Sequence, residues 1–421
     1  MSKTAARMQD GIPEDSFLFR YLDYMCVQET PVAYDLWTGF WLMSNAIGRR
    51  SVIDRPRAPV FMNLYVTLIA ESGITRKSTS VKYATTLLRE AFDDIGFVTA
   101  KQSPEGIDTQ LHDLSLQHLY SHLAISVSEM VSFLGKSSNS MALPGMLTDL
   151  YDCANERDTS TSRIDRGSIN NYVTFLTAST PTWLSGAIHP DVVEGGFTSR
   201  CIFVHAERRK AAIAFPTAHP IEATLHQQLL DGLHSIRATA QTRPAIPLSE
   251  SGRASFEKWY RTRAESRDPY QASFESREDA HVLRIAGFLA VNDGSWLIGS
   301  LHIRQACRLV AMAKLWGTQI FSGSGFTSRV LDGVQRLRTV LLQSGLNPIT
   351  RSQITHKLQK VCDAREIGAI LDVFHNLEMI QIFEVPVTAG SKRVKLVYRG
   401  TQKLAMHSVM EQALDELDPT R

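Results

Sequence analysis

Cysteine is scarce in this chain, and none of it is arranged for bonding. The five cysteines, Cys26, Cys153, Cys201, Cys307 and Cys362, lie far apart and form no CxxC pair. That argues against both a disulfide framework and a structural zinc, and fits reduced thiols in cytoplasm. Long apolar runs are lacking, so no membrane partner is expected. The opening Met1 to Asp15 has no apolar centre and does not read as a signal peptide. Neither sign of charge dominates: 45 Lys and Arg against 43 Asp and Glu leave a net charge of +2. Any nucleic-acid surface must therefore be a local basic patch. Internal repeats and low-complexity tracts are also absent. What remains is a soluble globular chain of 421 residues, more than one typical core holds.

Hydrophobic periodicity divides the chain. Residues 14–50 read as helical, with Phe17, Leu18, Tyr21, Leu22 and Met25, then Trp37, Phe40 and Trp41, recurring at helical spacing. A connector rich in Pro and Arg, Asp54 to Pro59, follows. Strand signals then alternate with helices: Leu64–Ala70, Gly96–Thr99, Leu123–Ser128, Tyr172–Ala178 and Cys201–His205. Apolar strands alternating with helices predict an α/β fold with a parallel sheet covered on both faces, its ligands at the carboxyl ends of the strands. Residues 216–325 read as a helical lid. After Ser322-Gly323-Ser324-Gly325, three helices and a hairpin (Ile380–Pro386, Arg393–Tyr398) follow in winged-helix order. The expected domains are thus 1–59, 60–215, 216–325 and 326–400, with a tail at 401–421.

Glycine is missing where the most informative motif would want it. Asn63 to Thr79 reads as a buried strand, a tight loop (Ser72-Gly73-Ile74-Thr75-Arg76) and Lys77-Ser78 opening a helix. That order suits a phosphate-binding loop: N–H groups at a helix N-terminus face a polyphosphate, Lys77 reaches its distal phosphates, and the Ser78 hydroxyl coordinates Mg²⁺. The usual glycines at the first position and just before the lysine are Glu71 and Arg76 here, and only Gly73 remains.

Four further features follow in chain order. The strand Leu123 to Val127 ends in Ser128-Glu129, where a carboxylate would activate the attacking water and Ser128 would hold a metal-bound water. Tyr172 to Ala178 ends in Ser179-Thr180-Pro181, and either hydroxyl would place that water. Arg200, after Gly195-Gly196-Phe197-Thr198-Ser199, suits an arginine finger reaching a neighbouring subunit, and Arg284 a γ-phosphate sensor on a helix. The loop and these four features each also have a plainer reading: a strand–loop–helix junction, a surface glutamate, a Ser/Thr/Pro turn, a locally paired arginine, a solvent-facing arginine.

Together, the loop Ser72 to Ser78, Val127-Ser128-Glu129, Leu150-Tyr151-Asp152-Cys153, Ala178 to Pro181 and Gly195 to Arg200 resemble AAA+ P-loop ATPases of bacteria, phages and mobile elements. These are often fused to primase domains and include self-loading replicative helicases similar to minichromosome-maintenance helicases. The likeness spans roughly residues 15–400, Ala33-Tyr34-Asp35-Leu36-Trp37 included. The resemblance implies a hexameric ring in a bacterial cytoplasm, hydrolysing ATP with Mg²⁺ between subunits and moving on single- or double-stranded DNA. A primase or a replication initiator is the implied protein partner. By position, Ser72, Gly73, Thr75, Arg76, Lys77, Ser78 and Thr79 would bind nucleotide. Glu129 would be the catalytic carboxylate, Thr180 or Ser179 the first sensor, Arg200 the finger and Arg284 the second sensor. Ser128, where the family has Asp, departs from the pattern. No primase chemistry is present in the chain.

DNA contacts are expected at two places. One is the polar segment from Asn155 to Gly167, with Arg163 and Arg166. The other is the wing, with Lys392, Arg393 and Lys395. Asp363, Glu366, Asp372 and Glu378 make the preceding helix acidic, so a protein-contacting role for the winged helix stands beside a DNA-binding one. The rival to a ring motor is a DNA-binding adaptor or initiator whose degenerate ATPase uses nucleotide only for assembly.

Overall fold

Short apolar strands alternating with helices build one sheet-centred core, laid down almost in chain order. The computed structural model describes residues 13–401, except 56–58, 135–141, 162–163, 188–195, 215–221, 264–265, 267, 322–327, 346, 360–361, 363–366, 369, 372–373, 376–379 and 387–393. Helices α1 (Phe17–Tyr24) and α2 (Val32–Ile47) come first. Ser16 caps α1 by accepting the Phe19 N–H. Helix α2 is apolar nearly all round and is buried accordingly, Trp37 and Trp41 included. The aromatic stripe of the N-terminal segment therefore belongs to the same core as the sheet.

Strands β1 (Val52–Ile53) and β2 (Val60–Phe61) pair antiparallel in a small sheet. The main body follows as β3 (Tyr65–Ile69), α3 (Lys77–Ala91), β4 (Gly96–Val98), α4 (Pro104–Gln117), β5 (His122–Val127), α5 (Ala142–Tyr151), β6 (Glu156–Thr161), β7 (Ile164–Ile169), β8 (Tyr172–Ser179), α6 (Pro181–Ala187) and β9 (Cys201–His205). Strands β6 and β7 form an antiparallel hairpin where the sequence reads as a polar loop. The main sheet has five parallel strands in the order β4-β5-β8-β3-β9. Every residue of β3, β5 and β8 is buried, as a sheet covered on both faces requires. Strand β8 lies between β3 and β5, with Ser179 opposite Ile69 and Thr177 opposite Val127. The carboxyl ends of these three strands therefore lie side by side.

The helical stretch that follows holds α7 (Glu222–Thr242), β10 (Ala245–Ile246), α8 (Glu250–Arg261), α9 (Pro269–Asn292) and α10 (Ser300–Phe321). Helix α7 is tied to the flank of α3, where His226 pairs with Glu90 at 2.6 Å and Arg237 pairs with Asp94. Strand β10 extends the small sheet by pairing with β1. Helix α9 passes the amino ends of the strands, where His281 Nε2 meets the Ser199 carbonyl at 2.8 Å. The helices of the expected lid thus flank the sheet and its amino-end side. Among the described residues, no helix is long and apolar enough to cross a membrane.

A second compact unit begins at Ser324. It contains α11 (Ser328–Ser344), β11 (Ile349–Thr350), α12 (Arg351–Leu358), β12 (Ile380–Pro386) and β13 (Val394–Gly400), with an antiparallel sheet in the order β11-β13-β12. Thr350 and Gln353 form a reciprocal capping box at the start of α12. Leu337, Leu341, Ile354, Leu358, Ile370, Phe374 and Ile380 give this unit its own core. Much of the expected helix Ala364–Leu377 lies outside the described residues, as do Lys392, Arg393 and Arg163. Lys395 falls on β13 and Arg166 on β7, with only their backbones described.

Candidate functional site

The loop between β3 and α3 has the backbone a phosphate site needs. Gly73 and Arg76 both have positive φ, 78° and 54°. Arg76 is left-handed at the helix N-cap and provides no side-chain cap. Its carbonyl accepts the Thr79 N–H at 3.0 Å, and the Lys77 and Ser78 N–H groups ahead of it are the ones an anion could meet. This explains the departure from the usual motif. A left-handed residue is needed just before the lysine, glycine takes that shape freely, and Arg76 takes it under constraint. The constraint is visible: Arg76 Nε bonds Glu29 Oε2 at 2.8 Å.

Lys77 Nζ is folded back onto the loop, donating to the carbonyls of Ala70 at 2.6 Å and Glu71 at 3.0 Å. Partial burial holds its pKa below the ordinary range, while the negative charges of Glu71 and Glu129 act in the opposite direction. Glu129 is therefore within electrostatic reach of the lysine. Ser72, Gly73 and Ser78 are exposed and Thr79 is half-buried, as ligand-facing positions should be. Thr75 is fully buried, its hydroxyl 3.3 Å from that of Tyr34. The buried Thr75 side chain thus supports the loop from within, while the exposed Arg76 side chain is tied to Glu29.

Ser128 and Glu129 stand exposed at the carboxyl end of β5, and Glu129 Oε2 accepts a bond from Ser132 Oγ at 3.3 Å. The two hydroxyls that end β8 divide their work. Thr180 Oγ1 accepts the Trp183 N–H at 3.3 Å and so caps α6. Ser179 lies directly beside Ile69, and its carbonyl accepts the Ala70 N–H at 3.4 Å. The buried Ser179 hydroxyl donates to the Thr180 carbonyl at 3.5 Å, and its residue ends the strand that lies between β3 and β5. His205, unnoticed in the sequence, ends β9 on the other side of β3. Burial, and then the charge of Lys77, push its pKa down to about 4, so it stays a neutral imidazole at the loop's edge.

Sequence reasoning also missed what holds the loop. Tyr34 of α2 donates its hydroxyl to the Ile69 carbonyl at 2.6 Å. Glu29 is buried yet ionised: the Ile213 N–H and the Arg76 guanidinium, with Arg209 beyond, lower its pKa. Lys210 pairs with buried Asp35 at 2.9 Å. The only sequence signals were isolated acids on an aromatic helical segment and the run Arg208-Arg209-Lys210 after a strand. Nothing in either says which partner the other finds.

Two expected site residues lie elsewhere. Arg200 precedes β9, whose first residue pairs with Tyr65, while the loop follows Ile69 at the other end. About 13 Å of strand separates them, so Arg200 is out of reach of its own loop. It is buried, bonded to Asp152 Oδ2 at 3.0 Å and to the Gly196 carbonyl at 3.1 Å. Asp152 also pairs with Arg277 at 3.4 Å. Arg284 is neither solvent-facing nor near a phosphate site. Its Nε donates to the Phe61 carbonyl at 2.9 Å and its Nη1 to the Tyr151 hydroxyl at 2.6 Å, before β3 begins. Its guanidinium lies 4.9 Å from the Tyr151 ring centre, a buried cation–π contact at the amino end of the sheet. The expected γ-phosphate sensor is thus a structural clamp.

The hairpin β6–β7 rests on α4, where Arg157 Nε bonds Asp108 at 3.1 Å and His112 Nδ1 donates to the Gly167 carbonyl at 2.6 Å. Among the described residues, no group of three or more His, Cys, Asp or Glu side chains could hold a metal. A magnesium ion bound with a polyphosphate needs few protein ligands, and the residues that would hold it are Ser78, exposed at the start of α3, and Ser128, exposed after β5 next to Glu129 in the chain. Compared with known families and with curated proteins, the chain matches no family model and no curated sequence.

Proposed function

We propose that this chain is a ring-forming AAA+-type ATPase that hydrolyses ATP and moves along DNA as a replicative helicase or translocase of a phage, plasmid or genomic island. The observation that carries the reading is the place of β8. It lies between β3 and β5, so Lys77, Ser179 and Glu129 share one edge of the sheet, in the order that phosphate binding and water activation require. The N-terminus of α3 and Lys77 hold the phosphates. Mg²⁺, when bound, neutralises phosphate charge, and Ser78 with a water on Ser128 would hold it. Glu129 accepts the proton of the attacking water, and Ser179 orients that water.

Arg200 serves a neighbouring subunit on this reading. Its separation from its own loop supports a role in trans, and Asp152 holds it at the opposite edge. The second unit is read as a winged helix, its three-stranded sheet supporting a DNA or protein contact. The hairpin β6–β7 and the wing remain the proposed DNA contacts.

One observation favours a second reading, an adaptor or initiator using nucleotide only for assembly. Ser128, not a carboxylate, stands beside Glu129. Turnover with and without DNA separates the two. DNA-stimulated hydrolysis that returns when Glu129→Gln and Arg200→Ala subunits are mixed supports the ring motor with Arg200 in trans. ATP binding without turnover supports the adaptor. Hydrolysis that never recovers at any mixing ratio removes Arg200 from the site.

A further inference from the structure

Four arginines end on the short segment that closes α5. The Tyr151 hydroxyl accepts a bond from Arg284 Nη1 at 2.6 Å, and the Cys153 carbonyl accepts one from Arg49 Nη1. Between them, Asp152 Oδ2 accepts from Arg200 Nη2 at 3.0 Å and Oδ1 from Arg277 Nη1 at 3.4 Å. The unpaired carbonyls at a helix C-terminus draw cations to such a place. Tyr151 and Cys153 are buried, but the Asp152 side chain is 53% exposed. Asp152 therefore stands between the buried Arg200 and solvent.

Arg200 itself is unevenly held. His281 fixes the backbone just before it, through the Ser199 carbonyl. The guanidinium gives Nη1 to the Gly196 carbonyl at 3.1 Å and Nη2 to Asp152, while its buried Nε has no partner among the described residues. On the inner side the Tyr151 ring, its centre 5.7 Å away, attracts the cation, and on the outer side Asp152 pulls against it. We propose that Asp152 is the positioning residue for Arg200 in a neighbouring subunit's site. The proposal rests on reading Arg200 as acting in trans. Asp152 touches no nucleotide. It keeps the guanidinium at the rim of its own subunit, with N–H groups left open to a neighbour's terminal phosphate. Arg277 holds the other carboxylate oxygen and so fixes the direction of Asp152. Without Asp152 the cation would turn onto the Tyr151 ring, away from the phosphate.

ATP binding and turnover of single and mixed subunits test this. Asp152→Ala should bind ATP as wild type does, because its own loop is untouched, and lower kcat by about tenfold or more. Mixing it with Glu129→Gln should restore turnover, as mixing Arg200→Ala does. Adding Asp152→Ala to Arg200→Ala should slow turnover no further. Asp152→Asn keeps an acceptor for Arg200 and should lose less than Asp152→Ala. The same mixing applies to it if the alanine variant fails to fold. A merely structural defect stays with its own subunit and resists mixing. If both Asp152 variants turn over as wild type, or are slow and unrestored while Arg200→Ala is restored, Asp152 is a surface ion pair and the proposal is overturned. If Arg200→Ala is itself unrestored at every ratio, the reading of Arg200 in trans fails, and the role of Asp152 with it.

Discussion

Ser179 and Thr180 are adjacent hydroxyls that the sequence could not tell apart, and their bonds separate them. Thr180 caps a helix, so Thr180→Ala should cost about 1 kcal/mol of stability and leave turnover nearly intact. Ser179→Ala should do the reverse, lowering kcat by about a hundredfold at little cost in melting temperature. Equal effects on kcat would remove the distinction. Arg284 is a comparable case. With its guanidinium committed to Phe61 and Tyr151, Arg284→Ala should destabilise the protein by roughly 2 kcal/mol or more without changing nucleotide affinity in the folded fraction. Denaturant unfolding and nucleotide titration check the two halves, and a selective loss of affinity would restore the sensor reading. Arg76 shows why residue-scale reading was only partly possible. The sequence marks it as a defect in the motif, but its left-handed backbone and its Glu29 partner exist only in three dimensions.

Among the elements, the strands were the most legible. Buried parallel strands are short apolar runs bounded by turns, and β3, β5, β8 and β9 end within a residue or so of where the pattern places them. Helix α3 begins at Lys77, where the loop motif places it, although its first turn is polar. The hairpin β6–β7 escaped detection for a related reason: Glu156 to Ile169 has almost no apolar alternation, so pairing alone defines it. The connection between α1 and α2 was likewise invisible as a support. Glu29 there binds Arg76 and Arg209 at 2.8 Å each. Glu29→Ala should lower the melting temperature and weaken ATP binding by roughly tenfold or more, through a loosened loop. Calorimetry and ATP titration of the same sample would show it, and unchanged affinity would mean that the loop holds its shape without Glu29.

Across the whole molecule, buried imidazoles set a pH dependence. Burial lowers the pKa of His122 from 6.5 to about 3 and of His281 to about 3. The folded protein keeps these rings neutral where the unfolded chain would protonate them. Stability is therefore full above about pH 6.5 and declines as pH falls toward the folded values, by up to about 1.4 kcal/mol per pH unit for each ring. Melting temperature followed from pH 8 to pH 5 should fall below about pH 6.5, and His122→Gln, which removes one ring, should flatten the slope. A flat profile in wild type would contradict the burial of these rings. The sheet order itself was not legible, because no local pattern tells a strand which neighbours it will have.

That order brings the ends of β3 and β5 to one side of the sheet, and on the proposed function Lys77 and Glu129 there form one nucleotide-hydrolysing site. The most direct test is ATP binding and turnover in wild type, Lys77→Ala and Glu129→Gln. Wild type should bind and hydrolyse Mg-ATP, and Glu129→Gln should bind it equally well while turning over about a hundredfold or more slowly. Lys77→Ala should lose both. Wild type that fails to bind ATP, or Lys77→Ala that hydrolyses it at the wild-type rate, would contradict the account.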